Sequence, residues 1–388
     1  MENYTHDIPT KILFGKGQIK HLPEILAGYG KRVLLCYGGG SIKKTGLYDQ
    51  IMDLLKDFTV VECGGIEPNP RISSVARGAQ LCRENNIDVI LAAGGGSVID
   101  CAKAIAVGTF YEGDDFWEMV LTAREGRKAL PLVDILTLSA TGSEYDGGGV
   151  ISNPETNEKF GGSYTYPAVS ICDPTYTFTV SPYQTAAGSA DIMSHVMEGY
   201  FAETTDSILS DAIAEALLKT VIKCLPVVLK EPDNYAARAS LMSASSIACS
   251  GIPEYGKKWS GWPCHALEHE LSAWYDITHG AGLAILTPQW MRYILTKDPE
   301  RVRPQLARFA RNVWGLAGTD EQLLAEQGIA ALENFFREAG LPMTLGELGI
   351  TDEHFAEMAV HADRKGRLSN SWIPLSPQDS EAILRMCL

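Results

Sequence analysis

Acidic and imidazole side chains recur in the carboxy-terminal half of the chain at a spacing that suits a metal ion. Asp191 and His195 are four residues apart, so on a helix both side chains would leave the same face. His265, His269 and His279 follow, in a chain of only 8 histidines. One carboxylate with imidazoles is a donor set of catalytic Zn²⁺ or Fe²⁺, provided that one coordination position stays open. The pattern therefore predicts a metal centre that the later histidines complete.

A glycine-rich turn in the amino-terminal half has the features of an anion site. Gly94, Gly95 and Gly96 follow an apolar run, and Ser97 is expected to cap the helix that comes next. Glycines let phosphate oxygens approach backbone N–H groups, and the positive end of the helix would face the same point. The spacing matches neither GxGxxG nor the Walker pattern, so the chemistry alone favours a diphosphate. The alternative is a tight strand–helix turn without a ligand.

A second glycine cluster ends the first strand-like run of the same half. Its residues of interest are Gly38, Gly39, Gly40, Ser41 and Lys43. An acidic residue that accepts from the ribose 2′-hydroxyl of NAD(H) would repel the 2′-phosphate of NADP(H). No acidic residue lies between positions 38 and 44. The segment therefore favours NADP(H), the alternative being that the lysines only begin a solvated helix.

The elements that must position these side chains differ between the two halves. Short apolar runs that predict strands alternate with amphipathic stretches at 32–37, 59–63, 87–92, 132–137 and 169–172, with a small β excursion from 147 to 159. After residue 183 long helical periods replace them, at 207–228, 235–249, 299–316 and 321–339. We therefore expect a parallel α/β domain over residues 1–183 and an all-helical domain over 184–388.

Composition excludes several classes of function. The formal net charge is −15 with a pI near 5.0, which argues against a nucleic-acid partner. Nine cysteines are scattered without a CxxC pair, and the first residues do not resemble a secretory signal. No apolar run approaches the roughly 18 residues of a membrane span. We expect a soluble, cytoplasmic protein without a membrane partner.

Five motifs occur in order: GGGSVIDCAK at 94–103, TLSATGSE at 137–144, CDP at 172–174, the Asp191/His195 pair, and CHALEHEL at 264–271 with its following His279-Gly280. With these motifs, residues 10–290 resemble the iron-containing (group III) alcohol dehydrogenases. The YGGGS turn at 37–41 and ATGSE at 140–144 are most similar to the butanol dehydrogenase and NADPH-dependent aldehyde reductase branch.

The resemblance implies a dehydroquinate synthase-like fold, in which an amino-terminal dinucleotide-binding α/β domain precedes an all-helical metal-binding domain and the active site lies in the cleft between them. The positions that match the metal ligands are Asp191, His195, His265 and His279. His269 matches a further histidine near the substrate, and we assign it a catalytic role as proton carrier. The positions that match the cofactor site are Gly94, Gly95, Ser97, Asp100, Thr137, Thr141 and Lys159.

The expected reaction is hydride transfer between NADP(H) and a short- to medium-chain aldehyde or alcohol such as butanal or butanol, with Fe²⁺ or Zn²⁺ as Lewis acid. A polyol dehydrogenase of the same fold is an alternative. His265 to His269 also satisfies the HxxEH signature of inverted zinc peptidases, a remote alternative. A non-enzymatic protein with a closed structural metal site is a third.

Two further features carry expectations. The apolar segment 10–15 is expected to pair across a homodimer, as in relatives, unless it only completes its own sheet. Asp146 stands where close aldehyde-reducing relatives often carry asparagine, and its charge is unfavourable beside a cofactor unless it is paired.

Overall fold

The apolar runs of the amino-terminal half form a six-stranded parallel sheet in the computed structural model, which describes residues 1–388. The strands are β1 (Lys11–Phe14), β2 (Arg32–Tyr37), β3 (Thr59–Cys63), β4 (Val89–Gly94), β5 (Leu132–Leu136), β6 (Gly148–Asn153), β7 (Glu158–Ser163) and β8 (Val169–Cys172). β6 and β7 form a separate antiparallel pair, which is the predicted β excursion. The predicted strands at 32–37, 59–63 and 169–172 have the observed bounds, and the strand predicted at 87–92 begins and ends two residues later.

The strand order places a topological switch next to both glycine turns. The sheet runs β1-β8-β5-β4-β2-β3, so the chain passes from β2 to β3 on one side and then to β4 on the other side of β2. Parallel sheets bind their ligands outside the carboxyl ends of the strands at such a point. β2 ends at Tyr37 and β4 ends at Gly94, immediately before or within the glycine clusters.

Helices cover both faces of the sheet. They are α1 (Leu22–Ala27), α2 (Ser41–Lys44), α3 (Leu47–Leu54), α4 (Ile72–Glu84), α5 (Gly96–Gly108) and α6 (Phe116–Leu121). Alternate residues of a strand point to opposite faces, so Val33 and Leu35 join a core with α1 and α3, whereas Leu34 and Cys36 join a core with α4 and α5. This two-sided burial explains why the strands read as continuous apolar runs.

The second half is helical throughout, as predicted. Its helices are α7 (Pro182–Tyr200), α8 (Ile208–Lys230), α9 (Tyr235–Ala248), α10 (Pro263–Tyr275), α11 (His279–Lys297), α12 (Pro299–Asn312), α13 (Glu321–Glu338), α14 (Phe355–His361) and α15 (Pro377–Met386). α7 is buried from Thr185 onward and packs against α8 and α11. None of the helices combines the length and hydropathy that a bilayer span requires.

The chain divides into two units that each exchange a segment. The sheet unit comprises His6–Val180 and Asp233–Met242, and the helical unit comprises Met1–Thr5, Ser181–Pro232 and Ser243–Leu388. The single boundary predicted at residue 183 did not anticipate that the first residues would belong to the helical unit or that Asp233–Met242 would belong to the sheet unit. Met242, in the first part of α9, is buried in the same core as Leu34 and Ile99, which explains its membership of the sheet unit.

Candidate metal centre and nucleotide site

One face of α7 carries three ionisable side chains. Asp191, His195 and Glu198 succeed one another at intervals of four and three residues, so all three leave the same side of the helix. Each is almost completely buried, with 2%, 6% and 3% of its surface exposed. Burying charged groups is costly unless they are paired or bind a metal. The face is therefore a candidate for coordination.

Four donor atoms from three helices converge at this face. Asp191 Oδ1 lies 3.5 Å from His195 Nδ1, 3.8 Å from His265 Nε2 and 3.6 Å from His279 Nε2. Ligands about 2.1 Å from a tetrahedral ion are separated from one another by about 3.4 Å. Each of the three imidazole nitrogens thus lies about one ligand–ligand separation from Asp191 Oδ1, and Asp191, His195 and His265 form one group of potential ligands, with His279 at its edge.

Three of the four converging atoms have no hydrogen-bond partner. Asp191 Oδ1, His195 Nδ1 and His265 Nε2 are buried without a hydrogen-bond partner. Burial lowers the pKa of His195 to about 3, so its imidazole is neutral and offers a lone pair. Burial alone would raise the pKa of Asp191, but the surrounding imidazoles outweigh it and hold that pKa below its ordinary value. An anionic carboxylate among imidazoles fits a divalent cation.

Glu198 orients His265 from the other side. Its Oε1 accepts from the backbone N–H of His265 at 2.9 Å and lies 3.1 Å from His265 Nδ1. His265 is the third residue of α10, so this N–H has no partner within its own helix. The carboxylate thus caps α10 and leaves Nε2 of the ring directed at Asp191.

Glu268 orients the imidazole of His279 in the same way. This carboxylate, which is fully buried, binds His279 Nδ1 through one oxygen and the Ser272 hydroxyl through the other. A methyl group added at Gly282 would lie 2.8 Å from Glu268 Cγ, so glycine provides the room that the carboxylate occupies. Carboxylate–histidine pairs of this kind fix the tautomer and orientation of metal-binding imidazoles.

Gly280 allows α11 to reach α7. A methyl group there would collide with the backbone of Ala187, four residues before Asp191. Because His279 directly precedes Gly280, this close helix contact brings its imidazole to Asp191. The His279-Gly280 pair seen in the sequence therefore has a packing reason.

His269 lies one helical turn beyond His265. Its ring centroid is 6.3 Å from that of His265 and 5.6 Å from that of His279. Among the side chains that could bind a metal ion, His269 groups with Glu268 and His279 and not with Asp191. The peptidase interpretation needs Glu268 as a general base, but both oxygens of that carboxylate are engaged by His279 and Ser272.

An aromatic side chain covers the imidazoles. Trp262 precedes α10 in a left-handed conformation with φ of 53°, and its ring centroid lies 5.4 Å from that of His195 and 4.9 Å from that of His265. Its indole N–H donates to Glu254 Oε1 at 3.2 Å, which fixes the ring. Trp262 thus forms an aromatic wall against two of the imidazoles.

The glycine turn formed by Gly94, Gly95 and Gly96 is closed by the loop that follows β5. Thr137 donates its N–H to Gly94 O at 2.9 Å, and a methyl group at Gly96 would collide with Thr141. α5 begins at Gly96 with Gly95 as its capping residue and no side-chain cap. The expectation that Ser97 caps α5 is therefore wrong: the cap and the start of the helix lie two residues earlier, and Ser97 lies inside the first turn.

The two glycine turns are neighbours. A methyl group at Gly38 would lie 3.7 Å from Val98 Cγ2, and one at Gly94 would lie 2.5 Å from the same atom. Asp100 reaches away from them: its carboxylate accepts from Ser143 Oγ at 2.5 Å and from the N–H of Val150 at 2.9 Å. Asp100 therefore ties α5 to the loop after β5 and to β6.

Asp146 is paired, which answers the question raised by its charge. Its Oδ1 lies 2.7 Å from Nζ of Lys103, a fully buried lysine that also donates to Gly148 O at 2.7 Å. Lys159 is also buried and donates to Asn69 Oδ1 at 3.0 Å. Sequence reasoning singled out Lys159 but not Lys103 or Asn69, whose partners only the folded chain reveals.

An acidic residue that the sequence analysis missed lies beside Lys43. Glu62 Oε2 is 3.5 Å from Lys43 Nζ and accepts from the Tyr37 hydroxyl at 2.6 Å. The carboxylate comes from β3, which pairs with β2, and was therefore outside the segment 38–44 inspected for acids. The order strand, glycine turn, helix, strand predicts that β3 pairs with β2, and this pairing would have brought an acid on β3 close to the glycine turn.

Known proteins with similar sequences cover nearly the whole chain. The family models "Iron-containing alcohol dehydrogenase" and "Fe-containing alcohol dehydrogenase family, C-terminal" match residues 9–174 and 185–388. NADH-dependent butanol dehydrogenase A of Clostridium acetobutylicum is 48% identical, with 98% of each chain covered. NADPH-dependent aldehyde reductase YqhD of Escherichia coli is 40% identical, with 90% of each covered. The solved NADH-dependent butanol dehydrogenase A of Thermotoga maritima has a TM-score of 0.93 at 40% identity, covering 100% of this chain and 99% of that one.

Proposed function

The chain belongs to the iron-containing alcohol dehydrogenase family, and on that premise we propose that it interconverts short- to medium-chain aldehydes and alcohols, such as butanal and butanol, with NADP(H) preferred over NAD(H). The family and its relatives make the chain an oxidoreductase of the alcohol dehydrogenase or aldehyde reductase type. The observation that carries the proposal is the convergence of one buried carboxylate and three imidazoles at 3.5 to 3.8 Å.

The metal would be held by Asp191, His195, His265 and His279, and either Fe²⁺ or Zn²⁺ suits these donors. One carboxylate leaves a divalent ion with net positive charge, so the ion supplies Lewis acidity toward a carbonyl oxygen. The chain keeps this donor set in place from behind, because Glu198 binds the ring of His265 and Glu268 that of His279.

The nucleotide would lie on the sheet unit, where it supplies the hydride. We assign the diphosphate to the N–H groups of Gly94, Gly95, Gly96 and Ser97 at the positive end of α5. The adenosine end is assigned to the turn formed by Gly38, Gly39, Gly40, Ser41 and Lys43. Thr137, Thr141 and Lys159 would line the remainder. Asp100 would act on this site indirectly, through its bonds to Ser143 and Val150.

We assign the proton transfer to His269, which is buried next to His279, because imidazole is the side chain that most readily gains and loses a proton near neutral pH. His269→Ala is expected to lower turnover about 100-fold and to remove one limb of its pH profile. His354→Ala, which removes a histidine stacked on Trp274, serves as the control. Unchanged turnover and an unchanged pH profile in His269→Ala would exclude this role.

The function is tested with one preparation divided in two. One part is analysed for iron and zinc, and the other for oxidation of NADPH and NADH with a panel of aldehydes, ketones and polyol-derived carbonyl compounds. We expect about one metal ion per chain, and faster oxidation of NADPH than of NADH with butanal. Metal-replete protein that binds neither nucleotide would contradict the proposal.

We further propose a homodimer. β1 pairs with β8 and is the terminal strand of its sheet, so the prediction that it completes its own sheet and the prediction that it pairs with a second copy are compatible. Edge strands present unpaired N–H and C=O groups that a second copy can bind. Sedimentation or gel filtration of the full chain measures the mass directly.

A further inference from the structure

Four side chains form a cluster at the carboxyl ends of β2 and β3. Glu62 accepts from the hydroxyls of Tyr37 at 2.6 Å and Tyr48 at 2.8 Å, and lies 3.5 Å from Nζ of Lys43. The same ammonium lies 4.9 Å from the ring centroid of Tyr37 and 4.4 Å from that of Tyr48. These residues, Glu62, Lys43, Tyr37 and Tyr48, are called the Glu62 cluster. It combines one anion, one cation and two rings beside the turn that begins at Gly38.

The position of Glu62 in the chain is the one that dinucleotide sites use to read the ribose. It lies on the strand that follows the glycine turn, 24 residues after Gly38. In strand–turn–helix–strand units an acid about 20 residues beyond the turn binds the ribose 2′-hydroxyl and opposes a 2′-phosphate. Hydrogen bonds from Gly65 N to Gly38 O at 3.3 Å and from Ile66 N to Tyr37 O at 3.2 Å hold the two strand ends together.

The positive charge of Lys43 is consequently shared with the carboxylate of Glu62, so it cannot act on a bound phosphate alone. Hydrogen bonds from Tyr37 and Tyr48 lower the pKa of Glu62 below its ordinary value, so the carboxylate is ionised at neutral pH. The side chains of Glu62 and Lys43 are 39% and 47% exposed, so both are accessible to a nucleotide from solvent. A phosphate that approaches Lys43 also approaches this anion.

We propose that Glu62 determines the cofactor choice of this chain: its carboxylate balances the charge of Lys43 and opposes the 2′-phosphate, so that NAD(H) remains a usable cofactor beside NADP(H). This inference rests on the proposed nucleotide-dependent function. It names a residue on β3, outside the glycine turn, as the origin of discrimination. It also predicts that removing the carboxylate strengthens the preference for NADP(H).

The test is calorimetric titration of metal-replete enzyme with NADP⁺ and with NAD⁺, without any alcohol or aldehyde. Glu62→Gln keeps the shape of the side chain and removes its charge, so the ratio of the two dissociation constants should shift about five- to tenfold toward NADP⁺. The shift should shrink in about 1 M salt, because the side chains are partly exposed. Lys43→Met should move the ratio in the opposite direction, and this second variant tests the cluster if Glu62→Gln folds poorly.

Glu84→Gln is the matched control, since it removes an exposed glutamate of the same unit at the end of α4. Its ratio of dissociation constants should equal that of the unmodified chain. A Glu62→Gln ratio that also equals it would overturn the inference and leave the proposed function standing. Failure of the unmodified chain to bind either nucleotide would overturn both.

Discussion

The imidazole of His265 illustrates how a single side chain is set for coordination. Its Nδ1 and backbone N–H both meet Glu198 Oε1, while Nε2 is buried without a hydrogen-bond partner 3.8 Å from Asp191 Oδ1. A ring that is held on one side and has no hydrogen-bond partner on the other has the arrangement of a metal-binding imidazole. In the proposed metal centre, Glu198 would therefore contribute to metal affinity through His265, without contacting the metal.

Glu198→Gln is expected to lower metal affinity by about 10- to 100-fold. The amide can still accept from the N–H of His265, but it no longer raises the basicity of the ring. Competition with a coloured chelator measures the affinity. Glu215→Gln is the control, because Glu215 also accepts from a side chain of α7, the hydroxyl of Tyr200 at 2.8 Å, away from the donor set. Equal affinities in the two variants would show that Glu198 only packs.

Residue types and spacing predicted Asp191 and His195 as a pair, and the family resemblance selected His265 and His279 to complete the proposed donor set; neither predicted the side chains that support them. Asp191 and His195 share a helix, so their proximity follows from local geometry. Glu198 and Glu268 act across helix–helix contacts, and Glu62 acts across a strand pair. Such partners depend on register and packing, which a single sequence does not specify.

The helices set the distances at the centre. His279 begins α11, and the contact of Gly280 with Ala187 determines how closely that helix approaches α7. The bounds of most strands and of α8, α9, α12 and α13 were largely predictable, because apolar periodicity dictates them. The start of α5 was not, because Gly95 rather than a polar side chain occupies its capping position.

Gly280→Ala is expected to separate α11 from α7 and to displace His279. Overpacking of this kind costs about 1–3 kcal/mol of unfolding free energy, and the metal should bind more weakly. Denaturant unfolding and elemental analysis measure the two effects. Gly318→Ala is the control, since an added methyl group there would meet Leu324 at no less than 3.6 Å. Metal content equal to that of the control would contradict the role of this helix contact.

At the scale of the whole molecule, the two ligands are assigned to different units. All four predicted metal donors lie in the helical unit, on α7, α10 and α11, and all predicted nucleotide residues lie in the sheet unit. The exchanged segments could not be predicted, because the amphipathic pattern of α9 does not reveal which of two cores its first turns join. Met242 is buried in the same core as Leu34, so the first turns of α9 belong to the sheet unit.

Removal of the metal should therefore destabilise the helical unit more than the sheet unit. A ligand at about 1,000 times its dissociation constant stabilises the folded state by about 4 kcal/mol. Chelation is accordingly expected to lower the unfolding temperature of the helical unit by about 10 °C, at about 2–4 °C per kcal/mol. Hydrogen exchange should show lost protection in peptides of α7, α10 and α11, because removing the ion leaves Asp191 and three imidazoles unbridged. NADP⁺ added to the metal-free chain should protect peptides from 38–41 and 94–97 without restoring the three helices. Loss of protection spread equally over the sheet would show that the metal does not act through these helices.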